Sequence, residues 1–359
     1  MEKLSFEDLA DKEYNLTHAF KRIEEKLIDD MMKHINYSDP TNPDKFKVEQ
    51  LKRLEQYRQK NLKEYTPIFE ELNQKMEELI KSRFYQGLSL EEQKIMRAIH
   101  NGYNAPYQLY SVKARHVHDL NEKKLEALIQ ATKKDMIKAE HAILRKAEDS
   151  YRKIIFDAQV ALNTGSLNPR QAIDMATKDF LANGIQCIKY KNGAVHSIGD
   201  YADMAIKTAN KRAYLYGEGQ KRAEYGCHFV IVNKRGGTPC KCCAPYVGQI
   251  LVDDVYSGGT KEEAKKYGYS LLSEAMDNGL YHPRCKDVHS GYYEGITKIP
   301  EPLTKEQLAE IEEKEKKKQK EYYRKRMVKK YKQMAQYAED EETKKKYRAK
   351  VKEWQNKEM

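Results

Sequence analysis

Residues 227–243 read Cys-His-Phe-Val-Ile-Val-Asn-Lys-Arg-Gly-Gly-Thr-Pro-Cys-Lys-Cys-Cys. The run Cys227–Val232 is short and strongly apolar, the pattern of a buried strand. Gly236-Gly237 and Pro239 break it. Downstream, Gln249-Ile-Leu-Val252 is a second strand candidate. Lys261 to Met276 reads as one short helical segment leading into Gly279-Leu-Tyr-His-Pro283. Upstream, Asn168-Pro169 is an N-cap with Pro at the first helical position, and Asn183-Gly184 is the matching stop. Gln186–Lys191 and Ala194–Ile198 flank Asn192-Gly193, the signature of a hairpin. Tyr201 to about Ala223 returns to helix. These signals define a compact α+β domain over 164–298.

On the N-terminal side, residues 1–163 read as helical. A first helix from about Glu7 to His34 stops at the breaker-rich stretch Asn36–Pro43. Leu51, Leu54, Tyr57, Leu62, Tyr65, Ile68, Phe69, Leu72, Met76, Leu79 and Ile80 then recur at steps of three and four, one face of a helix. Pro67 is expected to kink that helix or begin a new one. Ser89-Leu-Glu-Glu92 is a capping box expected to open another. A long helix from about Asn121 to Leu162 follows. Bundle or coiled-coil packing accounts for these stripes without a cofactor. The predicted class is mainly α with a small α+β domain.

The composition agrees. The 359 residues (42.0 kDa) carry 66 Lys/Arg against 55 Asp/Glu, a formal charge of +11, and 34% of residues are charged. That fraction, above the usual quarter, argues against one large core. With 26 Tyr and 8 Phe, the chain is not composed like a disordered one. No apolar run approaches the length of a bilayer span, and the opening residues have no apolar signal core. Neither an integral membrane protein nor export through a cleaved signal is expected.

Residues 299–359 form a basic helical tail. From 301 onward there are 19 Lys/Arg and 13 Asp/Glu, and Thr304-Lys-Glu-Gln307 is a cap. Lys316, Lys317, Lys318, Lys320, Arg324, Lys325, Arg326, Lys329 and Lys330 are candidate phosphate contacts. Tyr322, Tyr323 and Tyr331 interleave with them and could stack on unpaired bases. The competing reading is a solvated helix whose Glu–Lys spacings favour helicity.

Four of the six cysteines lie between 240 and 285. Cys240-x-x-Cys243 and His282-x-x-Cys285 supply four ligands of the kind a closed tetrahedral zinc site uses, with Cys242 and His289 as alternates. Reduced cysteines packing a small core are the other reading, ahead of a disulfide. No His is followed by Glu in the deaminase frame. His-Glu-x-x-His, P-loop and Gly-x-Ser-x-Gly motifs are also missing. A zinc-dependent nuclease or hydrolase using Asp253, Asp254 or Asp287 stays open, as does a nucleic-acid-binding protein.

Several stretches resemble one family. Val230–Cys240, Cys243-Ala-Pro-Tyr-Val-Gly248, Asp253–Thr260 and His282-Pro-Arg-Cys-Lys-Asp287 are similar to the C-terminal half of phage minor capsid protein 2, in the head-morphogenesis group that includes the Mu F-like proteins. Asp200–Met204 with Lys207-Thr208, and Tyr337–Gln355, also resemble it. Together these cover roughly 165–359. The family pattern is Cys-x-x-Cys ahead of His-Pro-x-Cys-Arg-His. Cys240, Cys243, His282 and Cys285 match it position by position, whereas the final His is displaced, here Cys285-Lys-Asp-Val-His289. The resemblance implies a structural protein without enzymatic activity, inside the head at or near the portal vertex of a tailed phage or prophage. Its implied partners are the portal protein, a major capsid or scaffolding protein and packaged double-stranded DNA. Several copies per particle are expected, with assembly in the host cytoplasm.

Overall fold

A computed structural model of the chain describes residues 6–35, 43–106, 112–163, 169–190, 193–233, 239–240, 242–282, 285, 287–301, 303–338 and 340–357. The breaker stretch over 36–42, Asn168, Asn192 of the predicted turn and Gly236-Gly237 lie outside the described residues.

The architecture is mainly α. Three long helices come first: α1 (Phe6–His34), α2 (Pro43–His100) and α3 (Val112–Asn163). Then follow α4 (Pro169–Asn183), the hairpin strands β1 (Ile188–Lys189) and β2 (Val195–His196), and α5 (Ile198–Glu224). A mixed region holds β3 (Phe229–Asn233), β4 (Ile250–Val252), α6 (Lys261–Tyr267), β5 (Ser270–Leu271), α7 (Leu272–Asp277) and β6 (Val288–Gly291). Two charged helices close the chain, α8 (Lys305–Tyr337) and α9 (Glu341–Asn356).

Contacts group the chain into two compact units, each drawn from separated segments. One comprises Met1–Tyr14, Lys75–Lys133 and Met204–Lys316; the other comprises Asn15–Gln74, Lys134–Asp203 and Lys317–Met359. The first contains a four-stranded sheet in the order β5-β4-β3-β6. β3 is central and antiparallel to both neighbours, pairing Phe229 with Val252 and Val230 with Gly291; β4 and β5 run parallel. Val230, Val232, Leu251 and Leu272 pack with Tyr214 and Leu215 of α5 into one core, which also contains Cys243 and Cys285. α5 lies directly on α2. A Cβ at Gly217 would stand 2.1 Å from the Phe84 carbonyl oxygen, and one at Gly87 2.2 Å from that of Tyr214.

The second unit is helical apart from the β1–β2 hairpin. Tyr57 donates its hydroxyl to the Leu27 carbonyl at 2.9 Å and meets Tyr151 edge-on, with ring centres 5.6 Å apart. α8 and α9 pack through Tyr331 on Tyr347 and Tyr323 against Trp354.

Two expected breaks do not occur. α2 runs without interruption through Pro67 and through Ser89-Leu-Glu-Glu92. A helix-interior Pro costs about 3 kcal/mol. Burial of Tyr65, Phe69, Leu72, Met76 and Ile80 around it is large enough to offset that cost. Ser89 lies two residues before Glu91, which is buried in ion pairs that hold this part of α2 against α5. One expected helix is two. Gly268 adopts φ 72° and caps α6, so Lys261–Met276 divides into α6, β5 and α7. The expected stop at Gly184 (φ 67°) and the Thr304–Gln307 capping box are both present.

Candidate metal centre

Cys240, Cys243, His282 and Cys285 come together from two turns. In the first, Cys243 N and Ala244 N donate to the Cys240 carbonyl at 3.1 and 2.9 Å, and Cys243 N also reaches Cys240 Sγ at 3.4 Å. In the second, Cys285 N donates to the His282 carbonyl at 2.9 Å. Tyr281, just before it, has φ 61°, the one positive φ outside glycine among the described residues. Cys240 Sγ lies 3.0 Å from His282 Nε2, and Cys243 Sγ lies 3.3 Å from Cys285 Sγ. All four donor atoms fall within 4.8 Å of one another. Sulfurs bound to one zinc at about 2.3 Å stand about 3.7 Å apart, so the cluster has the dimensions of a tetrahedral site. Three thiols and an imidazole suit zinc and do not suit the oxygen-seeking calcium or magnesium.

The surroundings favour thiolate at Cys285. Hydrogen bonds from Cys240 and Cys243 push the Cys285 thiol down to about 3, helped by Lys211. Hydrogen bonds to Cys240 and Cys285 drive the Cys243 thiol upward. Asp287 N donates to Cys285 Sγ at 3.3 Å, and Asp287 Oδ2 accepts from Cys240 N at 3.1 Å. Lys211 of α5 donates to the carbonyls of Asp287 and Cys285 and lies 4.4 Å above the Tyr281 ring. Three thiolates around Zn²⁺ would leave one negative charge, which Lys211 is placed to balance.

The alternates lie elsewhere. Cys242 is exposed and outside the group. His289 is fully buried in β6, accepts from Arg222 Nη2 at 3.3 Å through Nε2, and faces the Tyr281 hydroxyl with Nδ1 at 3.2 Å. Burial and the guanidinium push its pKa down to about 3, so the ring is neutral.

Arg222 organises a network that sequence reasoning missed. It meets Glu91 at 3.2 Å and Asp253 at 2.9 Å, all three fully buried. Lys94 bridges Glu91 and Glu218 at 2.8 and 2.6 Å, and Tyr293 donates to Glu91 at 2.9 Å. The available signal was Glu218-x-x-x-Arg222, an opposite-charge pair one helical turn apart on the α5 face that also carries Leu215.

The carboxylates of the hydrolase alternative are all engaged. Asp253 holds Arg222. Asp254 accepts from Ser273 N at 3.0 Å and Ser273 Oγ at 2.5 Å, capping α7. Asp287 braces Cys240 N.

On α8, many of the nine candidate phosphate contacts already have internal partners. Lys316 pairs with Glu312, Lys325 with Glu321 and Lys329 with Glu25. Arg324 donates to the Gln355 carbonyl, while Arg326 and Lys330 lie over the rings of Tyr323 and Tyr331. Lys317, Lys318 and Lys320 are exposed. Because Tyr323 and Tyr331 pack against α9, Tyr322 is the one of the three expected stacking rings without a place in that ladder. No described helix is long and apolar enough to cross a membrane.

No curated protein and no solved structure matches the chain. The profile of one family, phage minor capsid protein 2, matches residues 6–358, extending the resemblance of the C-terminal half through the N-terminal helices. On that match over nearly the whole length, the chain belongs to the phage minor capsid protein 2 family.

Proposed function

We propose that the protein is a structural component of the phage head that acts in assembly at or near the portal vertex, and that one zinc ion braces its sheet-bearing unit. The head role is supported by the family match over residues 6–358; the zinc part is supported by the donor set, Cys240, Cys243, His282 and Cys285 within 4.8 Å, enough donors to fill a tetrahedron with no open position. A catalytic zinc keeps an open position and works with a nearby acid or base. Here Asp253, Asp254 and Asp287 are all occupied in holding the fold. Zinc would tie the β3–β4 turn to the segment before β6, where the sheet has few residues of its own. Capsid membership supports contacts with other head proteins; the portal protein and a major capsid or scaffolding protein are the proposed partners. The α8 cations supply a sequence-independent attraction to packaged double-stranded DNA.

The test is peptide mass spectrometry with copy-number quantification on purified heads, filled and empty, combined with cross-linking to the portal protein. A fixed low copy number with portal cross-links is the expected result. Absence from heads and their precursors would overturn the reading. Zinc is tested separately by metal analysis of the purified chain. One equivalent, lost together with thermal stability on chelation, is expected.

A further inference from the structure

We infer that a groove between α1 and α8 seats the phosphate backbone of duplex DNA, with Arg22 and Lys26 of α1 forming its second wall. This rests on the reading that the basic tail faces DNA, and adds a site on α1 that the reading does not contain. The groove is open, has a volume of about 690 Å³ and presents five cations against two carboxylates. Both carboxylates are already engaged. Glu25 pairs with Lys329 at 3.1 Å; Asp29 pairs with Lys33 and accepts from the Tyr337 hydroxyl at 3.0 Å. Lys325 is held by Glu321 at 2.7 Å.

That leaves Arg22, Lys26 and Lys332, all exposed, with no acidic partner among the described residues. Arg22 and Lys26 stand one helical turn apart, about 6 Å along the axis, and Lys332 lines the same trough from α8. Gln333 and Gln336 add amide donors of the kind that bind phosphate oxygens. Its apolar side chains are three, Ile28, 1% exposed, and Val328 and Tyr337, half-buried. A helix docking in a groove needs apolar anchors at helical spacing, which this floor does not offer. An extended polyanion needs only the cations.

The experiment is a fluorescence-anisotropy titration of the full chain with a labelled mixed-sequence 30-base-pair duplex, repeated from about 50 to 300 mM NaCl, a range in which backbone contacts weaken steeply. Three proteins are compared: wild type, Arg22→Gln/Lys26→Gln, and Lys317→Gln/Lys318→Gln/Lys320→Gln, whose charges lie outside this groove. The substituted side chains are exposed, and unchanged thermal melting confirms the fold. The α1 variant is expected to lose about tenfold or more in affinity at 0.1 M salt, with the slope of log K against log salt reduced by about 1.8. If wild type binds and the α1 variant keeps its slope and affinity, the groove is overturned while the DNA reading stands. If wild type does not bind the duplex, the DNA reading itself fails. Wild type that binds labelled polyglutamate but not the duplex would make the occupant an acidic protein segment and would also overturn the inference.

Discussion

Nε2 of His289 lies 3.3 Å from Nη2 of Arg222, inside a buried ion network and away from the cysteine sulfurs. Arginine can only donate, so Nε2 accepts and Nδ1–H points to the Tyr281 hydroxyl. The neutral tautomer is thereby set without a metal. Tyr281 is the left-handed residue that presents His282, so one histidine orients the segment that carries the other. If zinc sits at the proposed site, His289→Gln should leave its stoichiometry unchanged while lowering stability by about 1–3 kcal/mol, the cost of disturbing hydrogen bonds to a buried charge. His282→Ala should weaken zinc binding by more than the roughly 10–100-fold typical of outer-shell changes. Competition against a zinc chelator measures both. Equal zinc loss in the two variants would make His289 a ligand.

The Arg222 network sets a charge problem with one solution. Arg222 and Lys94 bring two positive charges; Glu91, Glu218 and Asp253 would bring three negative ones. Burial disfavours ionisation of all three. Arg222 and Lys94 nevertheless hold Glu91 below the usual range, and Arg222 does so for Asp253. Glu218, next to Glu91, is pushed up by burial, so of the three it is the first to take up a proton. Glu218→Gln should therefore cost less than about 1 kcal/mol, as a neutral replacement for a neutral acid. Glu91→Gln and Asp253→Asn should each cost about 3–5 kcal/mol by leaving a buried cation unpaired. Urea unfolding of the three variants at one pH decides it. A Glu218→Gln loss as large as the others would mean that all three carboxylates are ionised.

Much of the sheet-bearing unit was legible from local chemistry. An apolar run bounded by Gly and Pro gave β3, and the Cys/His spacing picked out four residues that fold into one cluster. Two of the three misreadings share a cause. Pro67, Ser89 and the segment around Gly268 carry local signals, and long-range packing outweighs the first two. Pro67 is exposed on a helix whose opposite face buries Tyr65, Phe69, Leu72, Met76 and Ile80, and Ser89 lies near a glutamate whose partner Arg222 is 131 residues away. β5 and β6 are two and four residues long. Strands that short show no period and exist because β4 and β3 offer them hydrogen bonds. The α1 wall of the basic groove was invisible for a similar reason, because Arg22 and Lys26 belong to an ordinary amphipathic helix until α8 lies beside them.

Gly87 and Gly217 make a packing prediction that opposes helix propensity. Alanine should favour an isolated helix by about 1 kcal/mol at either position. In the fold, a Cβ at Gly217 would overlap the Phe84 carbonyl oxygen at 2.1 Å and approach Leu88 N at 2.8 Å. Backbone atoms cannot swing aside, so α5 must move off α2. Gly217→Ala should destabilise by about 1–3 kcal/mol, as overpacked cores do. A shift of the urea midpoint toward higher concentration would show that the two helices have room to separate.

In the helical unit, Glu24 and Glu140 are both pushed up to about 7, principally by burial. Around Glu24, Lys329 and the Ser197 hydroxyl oppose the rise, and Asp200 and Glu25 add to it. Glu140 accepts from Asn73 Nδ2 at 3.2 Å, while its other oxygen and Asn73 Oδ1 have no partner among the described residues. A proton on that oxygen allows a hydrogen bond back to Asn73, completing an acid–amide pair. The sign follows from linkage. Between about pH 4.5 and 7 the folded state binds protons that the unfolded chain has released, so stability falls as pH rises through that window and levels off above it. Each group contributes on the order of 3 kcal/mol across the window. Glu140→Gln retains the donor at every pH, and Glu24→Gln removes the other titration. The double variant should lose this fall and instead gain stability from pH 5 to about 6.5, where buried neutral His289 no longer opposes folding, while wild type loses stability up to about pH 7 and then levels off. Parallel pH profiles for the two proteins would show that neither carboxyl takes up a proton on folding.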